Sequence, residues 1–339
     1  MTVIQQVLFE LDGSYLGHPY FVTGHALFNA VAQRVDERTR RALHVSHGVF
    51  VPGEYGEYPD AHSQNGYAGK LGKSLPPVER YDDLFVFRDA AQRWLLESRP
   101  RDAHNTHDIE RHGDRMAFAP ECFFGRPPET RNSKRSVQWF VHCYLHTDRD
   151  TDDILPLSED VLDGIRVGGA RNYGFGELSL ADSQVVDLDA LDYGRLTDAE
   201  SGAYVLELVS PYVLSSECPG ADDQSVPWWW DASSETASPT VESGSVSGTV
   251  STDGRRDDGL RRRETRLVDG GDAYRVETVD HGQLVGYAGS EPVTTARNGV
   301  LRVGTHAKYG FGEFRVRSAG DDRVPGRSVG EAASAGGGR

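Results

Sequence analysis

Lysine is nearly missing from this 339-residue chain. Only Lys70, Lys73, Lys134 and Lys308 occur, so 32 of its 36 basic residues are arginine. Cysteine is scarce as well. Cys122, Cys143 and Cys218 are odd in number and far apart, which gives neither a disulfide framework nor a C-x-x-C metal pair, so buried free thiols are expected. No stretch reaches the roughly 18 consecutive apolar residues of a membrane span, so no membrane partner is expected. The opening MTVIQQVLFELDGSYL lacks a basic leader and a small-residue cleavage site; it alternates like a strand, and a cytoplasmic location is expected. Nucleotide-binding glycine motifs are missing too. There is no G-x-G-x-x-G in a strand–helix setting and no G-K-[ST], which disfavours a nucleotide-binding enzyme and leaves no cofactor expected.

Acidic residues, in contrast, are plentiful. The net charge is −16 and the isoelectric point about 5.2, a balance that ordinarily argues against a polyanionic partner. The carboxylates are dispersed, as in Asp148, Asp150, Asp152 and Asp153, or Asp187, Asp189 and Asp192. A lysine-poor, aspartate-rich composition of this kind resembles halophilic proteins, which work in molar salt. There the Debye length is only about 3 Å, so scattered carboxylates repel a polyanion weakly and local arginine clusters decide binding. The most basic stretch holds Arg255, Arg256, Arg261, Arg262, Arg263 and Arg266.

The strongest internal signal is a repeat. VGGARNYGFGEL (Val167–Leu178) and VGTHAKYGFGEF (Val303–Phe314) align without gaps at an offset of 136 residues, with seven of twelve positions identical. Duplication of one supersecondary unit accounts for such a match. Before the first copy, Ser158 is a candidate N-cap for a helix carrying Val161, Leu162 and Ile165; after it, ELSLADSQVVDL has strand character. Before the second, EPVTTARNGVLRV suggests a turn and then a short strand, and EFRVRS after it alternates like a half-exposed strand.

The halves also open alike, on the strand-like runs QQVLFELDGSYL and Ala203–Leu214. Gly24–Val31 has the pattern of an amphipathic helix. Arg135–Thr147 suggests a strand with Trp139, Val141, Cys143 and Leu145 on one face. The expected fold class is α+β, with two ferredoxin-like, RRM-like modules in tandem, each carrying a glycine-rich loop. Their expected bounds are 1–195 and 203–318. A low-complexity insertion near 233–258 and a disordered tail over 319–339 complete the layout.

Within the loops, glycines let backbone approach a ligand, and closely spaced N–H groups can form anion-binding nests. Gly168, Gly169, Gly174 and Gly176, with Arg171, Asn172 and Tyr173, are the first set of RNA-binding candidates. Gly304, Gly310 and Gly312, with His306, Lys308 and Tyr309, are the second. The tyrosines could stack on bases; the plain alternative is a glycine hairpin that packs Phe175 and Phe311 inward. Among the histidines His18, His25, His44 and His47, a neutral imidazole could deprotonate a ribose 2′-OH without metal. His47 is the better candidate for that base and His25 the next, although a structural role is commoner for each. His104, His107 and His112 with Cys122, or His142 with His146, match no common zinc template, so no metal site is expected. Tyr55, Tyr58 and Tyr67 could bind RNA or cover it. The Trp228–Trp230 run could dock a neighbouring subunit or seal a core edge.

The first loop resembles the glycine-rich loop of the CRISPR-associated RAMP superfamily, G-G-x-[RK]-x-x-G-[FY]-G, through Gly168, Gly169, Arg171, Gly174, Phe175 and Gly176. The second shares Gly304, Gly310, Phe311 and Gly312. It departs at Thr305 and at Ala307, with Lys308 one residue after the basic position. The resemblance implies antiviral defence. The implied role is that of a non-catalytic subunit holding the guide-RNA handle of an effector complex, type III in its layout, beside other effector subunits. It also allows a metal-independent endoribonuclease that processes the precursor, or an assembly subunit that binds no RNA.

Overall fold

The computed structural model describes residues 2–18, 21–52, 74–88, 123–124, 139–148, 153–197, 203–221, 223, 226–231, 260–269 and 271–319. The candidates Tyr55, Tyr58, Tyr67, His104, His107, His112 and Cys122, the 233–258 insertion and almost all of the tail lie outside them. So do Arg255 and Arg256.

The architecture is α+β, rich in antiparallel strands and poor in helix. The first half contributes β1 (Val3–Leu11), β2 (Tyr15–Leu16), β3 (Phe21–Val22), α1 (Gly24–Ala32), α2 (Glu37–Ala42), β4 (Leu43–Val45), β5 (Gly48–Pro52), β6 (Phe123–Phe124), β7 (Trp139–Thr147), α3 (Glu159–Leu162), β8 (Ile165–Arg166), β9 (Glu177–Asp187) and α4 (Gly194–Thr197). Its seven-stranded sheet runs β3-β5-β7-β1-β9-β8, with β4 also paired to β7. β1 lies between β7 and β9, antiparallel to both. Because side chains alternate across a strand, Trp139, Val141, Cys143 and Leu145 fall on the face covered by α1, where Val7, Phe9 and Leu11 join them. The opposite face is also covered: Ile4 and Tyr144 pack with Tyr81, Leu84 and Phe85 and with residues of the second half.

Capping explains where the first two helices start. The hydroxyl of Thr23 accepts from the Ala26 N–H, and the carboxylate of Asp36 accepts from the Thr39 N–H. At the expected helix after Ser158, only one turn forms. Ser158 stands at the N-cap without a side-chain bond, and Ile165 already belongs to β8, since the positive φ of Gly164 ends the helix.

The second half contributes β10 (Tyr204–Leu208), β11 (Tyr212–Ser216), β12 (Trp230–Asp231), β13 (Arg262–Asp269), β14 (Asp272–Val279), β15 (Leu284–Tyr287), α5 (Pro292–Val300) and β16 (Phe314–Ser318). One sheet runs β12-β15-β10-β16 and another β11-β14-β13. The turn-and-strand expectation for 291–303 is corrected here, because these residues form α5. Pro292 sits in the first turn, where its fixed φ and missing N–H cost nothing, and Thr295, Ala296, Gly299 and Val300 bury one helical face. The β-branched Val-Thr-Thr run gave a false strand signal that this burial overrides.

The halves meet over a continuous core. Leu188, Leu191, Tyr193 and Leu196 pack with Leu206, Tyr212, Val285 and Phe314. Through the seam runs a buried ion pair, Arg88 Nη1 to Glu313 Oε2 at 2.8 Å, and the Tyr81 hydroxyl accepts from the Val316 N–H at 3.0 Å. No helix among the described residues is long and apolar enough to cross a membrane.

Candidate nucleic-acid interface

The two glycine-rich segments adopt one backbone conformation twice. Positive φ occurs at Gly168, Ala170, Gly174 and Gly176, and again 136 residues later at Gly304, His306, Gly310 and Gly312. Between the second and third of these positions lies a 3-10 turn, Arg171–Tyr173 in one copy and Ala307–Tyr309 in the other. Each loop is closed by the same bond: the Val167 N–H donates to Gly176 O at 2.9 Å, and the Val303 N–H to Gly312 O at 3.1 Å. A Cβ on Gly176 would overlap Val167 O, and one on Gly312 would overlap Val303 O, so glycine is required at both for space as well as for φ. Each closing glycine also donates to the chain just beyond the half's first strand: Gly176 N–H to Ser14 O, and Gly312 N–H to Pro211 O, both at 2.8 Å. These anchors are backbone carbonyls, which carry no residue signature and leave no trace in the sequence.

The environments of the loops differ. In the first, Gly169, Arg171, Asn172, Tyr173 and Gly174 are exposed, Tyr173 to 78 %. The Gly169 N–H is tied to Leu16 O at 2.7 Å, which holds the base of the loop while its tip projects. Nothing lies within 4 Å of a Cβ built on Gly174. Phe175 is half-buried, whereas its counterpart Phe311 is buried.

The second loop turns into the seam. Lys308 donates from Nζ to Arg40 O and Arg41 O, the carbonyls near the C-terminal end of α2, at 2.9 and 2.7 Å. Its ammonium also lies 4.9 Å from the Phe28 ring centre. Tyr309 packs edge-on against His25 and Phe28, with ring centres 4.8 and 5.2 Å apart. Ser216 Oγ is 2.7 Å from His306 Nε2, and Arg302 donates from Nε to Ala307 O at 3.0 Å. A Cβ on Gly310 would overlap His47. Lys308 and Tyr309 therefore serve the contact between halves in this conformation, and Gly304 alone of this set is exposed.

Both candidate bases are brought to the second loop and buried there. His47 is 5 % exposed; its Nδ1 accepts the Gly24 N–H at 2.8 Å, and its ring stacks on Phe21 and meets Phe311 edge-on. Burial, with further contributions from His18, Arg88, Arg302 and His281, pushes its pKa well down, so it is neutral, with the accepting nitrogen already occupied. His25 is 8 % exposed, with Asn29 Nδ2 3.2 Å from its Nε2. Burial lowers His18 to about 3, helped by His281 and Arg263, and lowers His44 to about 4, helped by Arg302. His142 and His146 are likewise held neutral by burial. Cys143 is buried and Cys218 half-buried, and neither is in a disulfide among the described residues. Among the described residues no three His, Cys, Asp or Glu side chains converge as a metal site. The Trp228–Trp230 run divides: Trp230 is buried in the core and Trp228 is exposed. No family model matches this chain, and no curated protein matches it.

Proposed function

We propose that this chain is an RNA-binding subunit of a CRISPR effector complex, a RAMP-type protein that contacts the guide-RNA handle chiefly through its first glycine-rich loop. The observation that carries this reading is the pair of identically folded loops, one presented to solvent with an arginine and a tyrosine at its tip, the other used to join the halves. Arg171 can meet phosphate oxygens with its guanidinium fork, and Tyr173 can stack on a base. The backbone order supports two ferredoxin-like modules, 1–195 and 203–318. β1, α1, β5, β7, α3 and β9 with the spatial order β5-β7-β1-β9 is the arrangement such a fold requires, and β10, β15, α5 and β16 repeat its latter part. Other effector subunits would be the protein partners.

Binding to CRISPR repeat RNA, measured at high salt by fluorescence anisotropy, tests this. Tyr173→Ala is expected to cost about 1–3 kcal/mol of binding, roughly 5- to 150-fold, and Arg171→Ala to add to it, with thermal stability unchanged. Wild-type affinity in the double variant would remove the first loop from the RNA surface. The processing-nuclease alternative has its candidate bases buried and, at His47, hydrogen-bonded through the nitrogen a base must use. Cleavage of repeat RNA in EDTA that His47→Ala abolishes would restore it.

A further inference from the structure

A separate cationic site lies where the β14–β15 turn meets the start of β13. Asp280 is 2 % exposed, yet three nitrogen-bearing side chains converge on its carboxylate. Arg261 Nη2 and Arg263 Nε approach Oδ2 at 3.1 and 3.8 Å, and His281 Nδ1 lies 2.9 Å from Oδ1. Burial would push this carboxyl up, but His281, Arg263 and Arg261 outweigh it and hold it at about 2, so it stays ionised. Two guanidinium groups against one carboxylate leave a net positive charge.

The neighbouring arginines are balanced differently. Arg262 faces Glu277 at 3.7 Å and Arg275 faces Glu264 at 2.7 Å, each with its own carboxylate. Arg261 and Arg263 share theirs and expose 68 % and 50 % of their side chains, whereas the carboxylate beneath them is covered. Two residues apart on an extended chain, they point to the same side. Asp280 thus gathers two half-exposed guanidinium forks over one covered carboxylate, and such forks are suited to the oxygens of an anion. His281, about one-fifth exposed, lies beside them with its Nδ1 turned to Asp280.

We infer that Arg261, Arg263 and His281 form a binding site for a phosphate group, preorganised by Asp280 and independent of the glycine-rich loops. A buried carboxylate that orients exposed guanidinium groups removes part of the ordering cost of binding, which is what distinguishes this site from freely moving surface arginines. The chemistry is that of a phosphate oxyanion, and it fits a free phosphate, a terminal nucleotide phosphate or a backbone diester.

Isothermal titration of the full chain with inorganic phosphate at fixed ionic strength tests the site. Saturable binding is expected, weakened at least tenfold in Arg261→Ala/Arg263→Ala and retained in Arg38→Ala/Arg41→Ala, which removes equal charge from exposed arginines elsewhere. Phosphate should also move the His281 ring signals in NMR of wild type, a readout that needs no variant to fold. Absence of saturable binding, equal weakening in both double variants, or unmoved His281 signals overturns the proposal. Comparing 5′-phosphorylated with 5′-hydroxyl oligoribonucleotides then identifies the source. A difference that Arg261→Ala/Arg263→Ala abolishes supports the site as one for a terminal phosphate. Equal binding of the two that the same variant weakens supports it as one for the backbone. Oligonucleotide binding that the variant leaves untouched overturns its use for RNA. Because Arg171 and Tyr173 are intact throughout, failure here leaves the loop reading standing, and the converse holds.

Discussion

Two glycines of the first loop look interchangeable in sequence and are not. Gly174 has φ +83° with open space around it, so Gly174→Ala meets only the left-handed backbone penalty of about 1–2 kcal/mol. Gly176→Ala adds an overlap with Val167 O that backbone alone can relieve, and a loss of more than about 3 kcal/mol is expected. Urea unfolding of the two variants checks the order; equal losses would mean the closing bond of the loop is not as rigid as described. Gly310→Ala belongs with Gly176→Ala and not with its repeat partner, because His47 fills the space that is empty at Gly174. The repeat itself was legible from residues 167–178 and 303–314. The difference between partners was not, since it depends on atoms far away in sequence.

Among the elements, the second loop works against the end of α2. Lys308 donates to two carbonyls near the negative end of a helix dipole and lies over Phe28. Lys308→Met should cost about 1–2 kcal/mol of stability by thermal melting and, under the proposed function, leave affinity for repeat RNA within about twofold. A large loss of repeat-RNA affinity with normal stability would instead give the second loop a part in the proposed RNA contact. Across the seam, Arg88→Met leaves the buried Glu313 carboxylate with only the charge of the buried Arg302 and should destabilise by about 3–5 kcal/mol, and Arg88→Met/Glu313→Leu should recover part of that, since Arg302 then loses its carboxylate. A double variant as unstable as the single one would show that packing, not charge, sets the cost. Hydrophobic alternation identified β1 and β7, and spacing identified α1. The helix α5 was missed because Val293, Thr294 and Thr295 favour strand locally, and only burial against β16 decides for helix.

For the whole molecule, buried neutral histidines link folding to pH. His18, His44, His47, His142 and His146 all have pKa values below 6.5 in the folded state, and in the unfolded chain they return to about 6.5. Between that value and the folded ones, the unfolded state binds more protons. Their contribution is therefore fully present above pH 6.5 and is lost as pH falls through the window toward about 4. Each fully buried histidine contributes a slope of up to about 1.4 kcal/mol per pH unit there. Denaturant unfolding should give near-constant stability from pH 8 to 7 and a steep loss between pH 6.5 and 5. A flat profile across that window would mean these rings are accessible to protons in the folded protein.

The sequence by itself determined the duplication, the α+β strand pattern and the glycine conformations. These follow from φ, side-chain alternation and periodicity, which are properties of neighbouring residues. Only the tertiary structure decided which loop faces solvent, that His25 and His47 are buried beneath the second one, and that Asp280 gathers Arg261, Arg263 and His281. The physical reason is that exposure and charge compensation depend on what packs across the seam. Asp280 and His281 stand next to each other in the chain, but the arginines that give them meaning arrive from another strand.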